Sequence, residues 1–337
     1  MDEFLSGGTL PEMDLRERIA GTLLGTAVGD ALGLPCEGLS PQRIARRFGQ
    51  LDRYQLLGRT GYVSDDTEQS ALVAQSLARY PADPERCARA FRRSLVGWFW
   101  RLPWGIGMAT IRSCFRTMLG CSRTGVRSAG NGSAMRAALI GVFFHDQPEK
   151  RRAFGTAIAT STHTDDRALQ GALFVAELAA IGPDGARKIV TEPELGSALD
   201  RAEELAARQA STSDAAHALK TTGYVVHSVA FALYCYRRYG ETPLLALQEC
   251  IRAGGDTDSI AAILGGWLGA RHGEPGLPAH LLAELHDGPF GPSHLRALAT
   301  SLAGGTPPPR YSVIGALVRN LALYPVVLAH GLRRMFP

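Results

Sequence analysis

Hydrophobic side chains recur along this chain at helical rather than strand spacing. Leu15, Ile19, Leu23 and Ala27 follow one another at intervals of four residues, which places them on one face of a first helix. Other apolar or amphipathic stretches predict further helices over residues 71–77, 169–181, 198–210, 224–239 and 260–270. The last of these is almost wholly apolar, as expected for a buried central helix. Long alternating runs of Val, Ile and Thr do not occur, so the pattern predicts an all-α fold.

Glycine and proline mark the connections between these stretches. They cluster at residues 81–84, 182–185, 273–278 and 304–309. The chain shows no repeat of solenoid length and no low-complexity linker. We therefore predict a single compact multi-helix domain over residues 1–305, followed by a C-terminal extension over residues 306–337.

Composition narrows the class of protein. With 45% hydrophobic and 20% charged residues, the 337-residue chain has enough apolar material to bury a large core. The net charge is +4, and the basic residues are scattered in short pairs, so nucleic-acid binding is not expected. Six cysteines without metal-ligand spacing predict reduced thiols in a cytoplasmic protein. We also expect the protein to be a monomer.

The most apolar stretch near the C-terminus is too short for a membrane span. Residues 321–329 carry no charge, but they contain Pro325 and are flanked by Arg319 and Arg333. A span needs about 20 apolar residues. We therefore expect a core or interfacial helix here, and no membrane partner.

Two acidic segments are the strongest chemical signal in the sequence. They are SDDTE at residues 64–68 and GGDTDS at residues 254–259, and each precedes an apolar helix. Capping a helix needs one side-chain oxygen, whereas each segment contains several, so capping alone does not account for them. The paired glycines of the second segment also allow a close backbone approach, which a helix cap does not require. Converging carboxylates repel one another, and a divalent cation relieves that repulsion. Carboxylate and hydroxyl ligands without His or Cys suit Mg²⁺, Mn²⁺ or Ca²⁺ rather than zinc.

Three further segments are weaker signals when taken singly. GDALGLPCE at residues 29–37 ends the first helix and then offers a carboxylate. GNGSAMR at residues 130–136 is a glycine-rich turn entering a helix, whose N–H groups could face a phosphate. TSTHTDD at residues 160–166 sets a histidine among hydroxyls and acids.

In their order along the chain, these segments resemble the ADP-ribosylglycohydrolase family. The matching motifs are GTLLGTAVGDALGLPCE (21–37), SDDTE (64–68), GIGMAT (105–110), GNGSAMR (130–136), STH (161–163) and GGDTDSIAAILGG (254–266). The resemblance implies an all-α globule with two Mg²⁺ or Mn²⁺ ions in a central cleft. The implied metal ligands are Ser64, Asp65, Asp66, Asp256, Asp258 and Ser259.

The resemblance also implies catalytic and substrate-binding residues. Glu37 stands where some relatives carry a carboxylate that acts in catalysis, and Glu37, Asp65 and Asp66 are the alternatives for the general base. The implied ADP-ribose contacts are Gly105, Gly107, Ser128, Gly130, Asn131, Gly132 and His163. Two features depart from the family pattern. Serine replaces the commoner threonine at both Ser64 and Ser259, which preserves a hydroxyl, and Ala129 stands where some relatives have an aromatic residue.

The implied reaction is hydrolysis of the bond between the anomeric carbon of ADP-ribose and a protein side chain. Arginine is the first choice of acceptor, and serine-linked or small-molecule ADP-ribose are the alternatives. Two rival functions belong to other classes. One is a two-metal phosphohydrolase with the same oxygen-rich site. The other is an immunity protein that binds an ADP-ribosyltransferase toxin through residues 1–15 or the C-terminal tail.

Overall fold

A computed structural model describes residues 13–335 of the chain, and within that range the secondary structure is helical, with no β-strand beyond isolated bridges. The α-helices are α1 Leu15–Gly33, α2 Pro41–Phe48, α3 Asp65–Arg79, α4 Pro84–Phe99, α5 Met108–Met118, α6 Ala138–Phe143, α7 Pro148–Thr160, α8 Asp166–Ile181, α9 Pro183–Arg187, α10 Pro193–Ala207, α11 Thr212–Leu219, α12 Val225–Tyr239, α13 Pro243–Arg252, α14 Thr257–His272, α15 Ala279–Glu284, α16 Pro292–Gly304 and α17 Val313–Met335. Two 3-10 turns, Leu34–Cys36 and Asn131–Ser133, complete the described elements. The prediction of an all-α fold is confirmed.

Two antiparallel helices, α1 and α14, form the centre of the fold with their backbones in direct contact. Glycine recurs on α1 at every fourth position from Gly21 to Gly33. A Cβ atom at Gly25 would overlap the carbonyl oxygen of Gly265 on α14, and one at Gly33 would overlap the carbonyl oxygen of Thr257. The small-residue stripe therefore brings the C-terminal end of α1 against the N-terminal end of α14.

The surrounding helices bury both central helices. Residues 18–33 of α1 and 260–270 of α14 are buried throughout, which confirms the predicted central helix. Trp267 of α14 donates its indole N–H to the carbonyl oxygen of Val175 on α8, at 3.0 Å. Arg18 of α1 donates to the carbonyl oxygen of Ala179 on the same helix, at 2.9 Å. These buried hydrogen bonds fix α8 against both central helices.

The last helix, α17, follows an irregular stretch over residues 305–312. It contacts the body through the buried side chains of Ala316 and Leu323 and through polar groups. Arg319 forms a salt bridge with Glu68, and Asn320 donates to the carbonyl oxygen of Arg101. All six cysteines are free thiols and only Cys121 is exposed, in agreement with the reduced state expected from the sequence.

Candidate active site

The first acidic segment is anchored by a buried aspartate of α1. Asp30 accepts hydrogen bonds through Oδ2 from the backbone N–H of Ser64 at 2.9 Å and from the N–H and hydroxyl of Thr67 at 3.1 and 2.5 Å. Ser64 caps the N-terminus of α3, so Asp65 and Asp66 occupy its first turn. The sequence analysis gave Asp30 no role, although it lies in the GDALGLPCE segment. Its carboxylate sets where α3 begins.

The second acidic segment is positioned by its two glycines. Gly254 and Gly255 have positive φ angles of 72° and 82°, which favour glycine. The N–H of Gly255 donates to the carbonyl oxygen of Leu39 at 3.0 Å, and the N–H of Gly38 donates to the carbonyl oxygen of Gly255 at 2.7 Å. The close backbone approach predicted for these glycines is confirmed. It places the turn that carries Glu37 beside the N-terminus of α14.

Both acidic segments meet at Asp66. Its Oδ2 atom accepts hydrogen bonds from the hydroxyl of Ser64 at 3.2 Å and from the hydroxyl of Ser259 at 3.4 Å. Burial, together with the charges of Asp30 and Asp256, raises the pKa of Asp66 well above its usual range. The predicted ligands of both segments therefore lie in one place.

Crowding of negative charge extends to the neighbouring carboxylates. Burial and the charge of Asp66 raise the pKa of Asp65, and burial and the charge of Glu37 raise the pKa of Asp258. Burial also raises the pKa of Asp256, with a contribution from Glu37. We refer to Glu37, Asp65, Asp66, Asp256 and Asp258 as the acidic centre.

The acidic centre offers the donor set that a hard cation requires. Within residues 13–335, none of its four aspartates forms a salt bridge with Lys, Arg or His. Asp66 Oδ1 is buried without a hydrogen-bond partner among the described residues. These oxygen donors fit Mg²⁺ or Mn²⁺. No group of three His, Cys, Asp or Glu side chains in the described range already has the spacing of a ligand set, so the metal centre stays a prediction.

The glycine-rich turn at residues 130–132 is held against the acidic centre by Asn131. Its Nδ2 atom donates to Asp256 Oδ2 at 2.6 Å and to the hydroxyl of Ser228 at 3.0 Å. Asn131 is predicted as an ADP-ribose contact, and in the structure its side chain holds the second acidic segment. Ser128 accepts a hydrogen bond from the N–H of Gly130 at 3.3 Å, which tightens the same turn.

The segment that begins at Gly105 also reaches the acidic centre. Gly105 has a φ angle of 80°, and a Cβ atom there would lie 2.6 Å from Asp65 Oδ1. Gly107 stands at the N-terminus of α5, where a Cβ atom would meet no other atom within 4 Å. Gly105 is therefore adjacent to the acidic centre, whereas the structure shows no contact between Gly107 and that centre.

A buried arginine connects His163 to the acidic centre. Arg136 donates to Gln69 Oε1 at 2.6 Å, and Gln69 in turn donates to Asp65 Oδ2 at 2.9 Å. The same guanidinium donates to the hydroxyl of Thr162 at 2.5 Å, and that hydroxyl lies 2.7 Å from His163 Nδ1. The roles of Arg136 and Gln69 are not predictable from the sequence, because a buried arginine without an acid near it in sequence gives no pattern.

This network determines the state of His163. Burial, with a contribution from the charge of Arg136, lowers its pKa to about 3, so the imidazole is neutral. The Thr162 hydroxyl, which accepts from Arg136, lies against Nδ1 of this neutral ring. The other ring nitrogen, Nε2, would lie 3.5 Å from a Cβ atom at Gly130. His163 therefore faces the glycine-rich turn through Nε2.

Known families and proteins were compared with this chain. The sequence profile of the family described as ADP-ribosylglycohydrolase matches residues 11–311. An uncharacterized protein of Archaeoglobus fulgidus is 32% identical over 306 residues, covering 86% of this chain and 96% of its own. The ADP-ribosyl-[dinitrogen reductase] glycohydrolase of Rhodospirillum rubrum is 26% identical, covering 80% of this chain and 91% of its own. The ADP-ribosylarginine hydrolase Tri1 of Pseudomonas putida is 26% identical, covering 88% of this chain and 80% of its own.

A solved structure gives the same result for the fold. A chain of an ADP-ribosylglycohydrolase-related protein complex superposes with a TM-score of 0.64, covering 87% of this chain and 99% of its own, at 24% identity. That similarity supports the all-helical architecture alone. Because the family profile spans most of the sequence, the chain belongs to the ADP-ribosylglycohydrolase family.

Proposed function

We propose that this protein is a metal-dependent hydrolase that removes ADP-ribose from modified protein side chains, with ADP-ribosyl-arginine as its first substrate. Family membership supports an ADP-ribose-releasing hydrolase. The observation that carries the proposal is that the two acidic segments contact each other at Asp66. Its partner Ser259 is 193 positions away in sequence, so the fold brings the two segments together.

Six residues of the two segments would hold the cations. They provide only carboxylate and hydroxyl oxygens and are Ser64, Asp65, Asp66, Asp256, Asp258 and Ser259. One or two Mg²⁺ or Mn²⁺ ions, when bound, supply Lewis acidity for the sugar hydroxyls and for water.

The carboxylates of the chain contribute directly to bond cleavage. Glycosidic hydrolysis passes through a state in which positive charge develops on the sugar ring. The crowded carboxylates of the acidic centre stabilise that charge, and one of Glu37, Asp65 and Asp66 takes the proton of the attacking water. Gln69 holds Asp65 by its Oδ2 atom, which leaves Oδ1 on the side of Gly105.

Neutral groups would hold the rest of the substrate. The glycine-rich turn at residues 130–132 offers backbone N–H groups, and His163 Nε2 faces the same turn. Backbone N–H groups of this kind bind phosphate oxygens without requiring a basic side chain. We assign the pyrophosphate of ADP-ribose to this turn and to His163.

Two observations bear on the acceptor side chain. The Pseudomonas putida relative is named an ADP-ribosylarginine hydrolase, which favours arginine. The position of Glu37 resembles that of relatives that act on serine-linked ADP-ribose, and its charge acts on Asp256 and Asp258 in the acidic centre. A small molecule that carries ADP-ribose is the third alternative.

A release assay tests the proposal. One peptide would be ADP-ribosylated on arginine and another on serine, each incubated with the protein and Mg²⁺ or Mn²⁺, with and without a chelator. We expect ADP-ribose to be released from the arginine peptide in a metal-dependent way, and expect the Asp256→Ala variant to be inactive. The matched control is Asp146→Ala, since Asp146 is an exposed aspartate with a side chain 64% accessible.

Other outcomes would favour the rival functions. Release from the serine peptide alone would change the acceptor and leave the hydrolase in place. Release of inorganic phosphate in place of ADP-ribose would indicate a phosphohydrolase. Protection against an ADP-ribosyltransferase toxin that survives Asp256→Ala, with no release from either peptide, would indicate an immunity protein.

A further inference from the structure

Exposed large hydrophobic side chains concentrate in two segments of the described chain. Elsewhere in that range such side chains occur singly, at Leu57, Ile181 and Leu245. The two segments carry Trp100, Leu102, Met108, Phe115, Met118 and Leu119 in one case, and Val313, Ile314, Val318, Leu321, Leu328 and Leu332 in the other. Contiguous exposed apolar surface of this kind marks a binding site for a partner.

The second segment is α17, which buries Ala316 and Leu323 against the body but leaves a longer apolar stripe exposed on its other side. Arg319, Asn320 and His330 point to the body, where they bind Glu68, the carbonyl oxygen of Arg101 and the carbonyl oxygen of Pro35. The outward side is an apolar stripe at intervals of four and three residues, formed by Ile314, Val318, Leu321, Pro325, Leu328 and Leu332. A helix that rests on a protein normally turns its apolar stripe inward. The outward stripe extends about 27 Å at 1.5 Å per residue.

Direct contacts join the two segments. Asn320 donates to the carbonyl oxygen of Arg101 at 2.8 Å, and that residue lies between the exposed Trp100 and Leu102. Phe99 packs its ring on Trp100 at 5.9 Å and on Phe115 of α5 at 5.6 Å. The exposed side chains of both segments therefore belong to adjoining surfaces, which we call the apolar face.

The two stretches of chain that carry the apolar face contain no acidic residue of their own. Residues 86–145 hold ten arginines and residues 288–337 hold five, and neither stretch contains Asp or Glu. Together the two stretches carry a formal charge of +15, against −11 for the remainder of the chain. The scatter of basic pairs along the sequence hides this separation of charge, which is visible only in where acidic residues are absent.

We propose that the apolar face docks on an anionic phospholipid bilayer, with α17 lying along the membrane surface. Apolar side chains that enter the headgroup region, with arginines attracted to anionic lipids, are the chemistry of interfacial helices. A second copy of the chain is disfavoured as the occupant, because each copy would bring the same arginine-rich stretches, which contain no acid, to the contact. This proposal replaces the expectation of no membrane partner.

Among the described residues, two helices are long and apolar enough to cross a membrane, but their burial points to other roles. Leu15–Cys36 is fully buried as the core helix. Val313–Leu332 has a mean hydropathy of 1.5 and is only 17% buried. The contacts of Arg319, Asn320 and His330 hold this helix on the body, so it lies on the membrane and does not span it.

Vesicle co-sedimentation of the full chain tests the proposal. We expect binding to vesicles of equal parts phosphatidylglycerol and phosphatidylcholine, and at least about tenfold weaker binding to pure phosphatidylcholine. The double variant Leu321→Glu with Leu328→Glu should bind the anionic vesicles at least about tenfold more weakly, because two apolar contacts are lost and two negative charges are added. The matched control is Leu57→Glu with Leu245→Glu, which should bind as the wild type does.

A second measurement on the wild type keeps the test independent of how the variants fold. Brominated phosphatidylglycerol in the vesicles should quench the fluorescence of Trp100, whose side chain is 65% exposed. Trp100→Phe should remove that quenching. Equal binding to neutral and anionic vesicles would overturn the proposal. A dimer in sedimentation velocity that dissociates in the α17 variant, with no vesicle binding, would also overturn it and assign the face to a second copy.

Discussion

The hydroxyl of Ser259 donates to Asp66 Oδ2 across 3.4 Å, joining the N-terminus of α14 to the N-terminus of α3. The hydroxyl of Ser64 donates to the same oxygen. The other carboxylate oxygen, Asp66 Oδ1, is buried and has no hydrogen-bond partner in the described range. The pairing depends on the backbone contact between α1 and α14, because α1 carries Asp30, which anchors α3. The position of the acidic centre thus depends on the packing of α1, α3 and α14.

Replacing Gly105 with alanine should lower activity. The new Cβ atom would lie 2.6 Å from Asp65 Oδ1, at a φ angle of 80° that strains any residue other than glycine. We expect kcat/KM to fall at least about tenfold, which corresponds to about 1.4 kcal/mol. The release assay measures the loss.

Gly58→Ala is the matched control for this change. Gly58 also has a positive φ angle, of 62°, but a Cβ atom there would meet nothing within 4 Å. Both variants should lose similar stability, and only Gly105→Ala should lose activity. Equal activity in the two variants would show that Gly105 does not constrain Asp65.

Replacing Gly25 with alanine should destabilise the protein. The added methyl group would overlap the carbonyl oxygen of Gly265, and a backbone clash forces α1 and α14 apart. We expect the free energy of unfolding to fall by about 1–3 kcal/mol or more, measured by urea denaturation. Gly97→Ala in α4 should instead be neutral or stabilise by about 0.5–1 kcal/mol, because its position is open. A Gly25→Ala protein as stable as the wild type would contradict the contact between the two helices.

Arg136→Met should reduce stability and change the state of His163. The substitution removes the donor to Gln69 and Thr162 at buried positions and to the carbonyl oxygen of Gly132 at a part-buried one. We expect a loss of at least about 2 kcal/mol in the free energy of unfolding, because buried acceptors lose their donor. Nitrogen-15 NMR of labelled histidine should show changed ring-nitrogen shifts for His163, because the guanidinium no longer fixes the Thr162 hydroxyl beside Nδ1.

The exposed Arg46 provides a control for this variant. Arg46→Met should change the free energy of unfolding by less than about 0.5 kcal/mol. An unchanged His163 spectrum in Arg136→Met would mean that the network does not act on the imidazole.

Arg319→Leu should be strongly destabilising because it leaves Glu68 charged and buried. The side chains of Arg319 and Glu68 are 8% and 3% exposed, and Trp98 also donates to the carboxylate. We expect a loss of about 3–5 kcal/mol in the free energy of unfolding. Adding Glu68→Gln should recover part of that loss, since no buried charge then remains. A double variant that is less stable than Arg319→Leu alone would contradict the pairing.

Much of the fold was predictable because its signals are local. The four-residue spacing from Leu15 to Ala27 and the apolar run at residues 260–270 became α1 and α14, with the second buried as expected. Helix ends were less certain: the stretch predicted over residues 198–210 ends as α10 at Ala207. The division between residues 305 and 306 stays a prediction, and residues 1–12 of the proposed toxin-contact segment lie outside the described residues.

The site residues were predictable where several chemically similar side chains lie close together in sequence. The two acidic segments were found as oxygen-rich clusters, and the structure places them together. Asp30 and Arg136 were not given roles, because each acts through a partner distant in sequence. Asp30 contacts Ser64, 34 positions away, and Arg136 contacts Gln69, 67 positions away. Single-sequence patterns carry no record of such pairs.

The most direct measurement is calorimetric titration of Mn²⁺ into the wild type, Asp66→Ala, Asp258→Ala and the surface control Asp146→Ala. If the two acidic segments form one metal centre, a change in either segment should weaken binding by about 100-fold or more, and the control should bind as the wild type does. Unchanged affinity in Asp258→Ala beside lost affinity in Asp66→Ala would contradict a shared centre. A wild type that binds no Mn²⁺ and no Mg²⁺ would contradict the account as a whole.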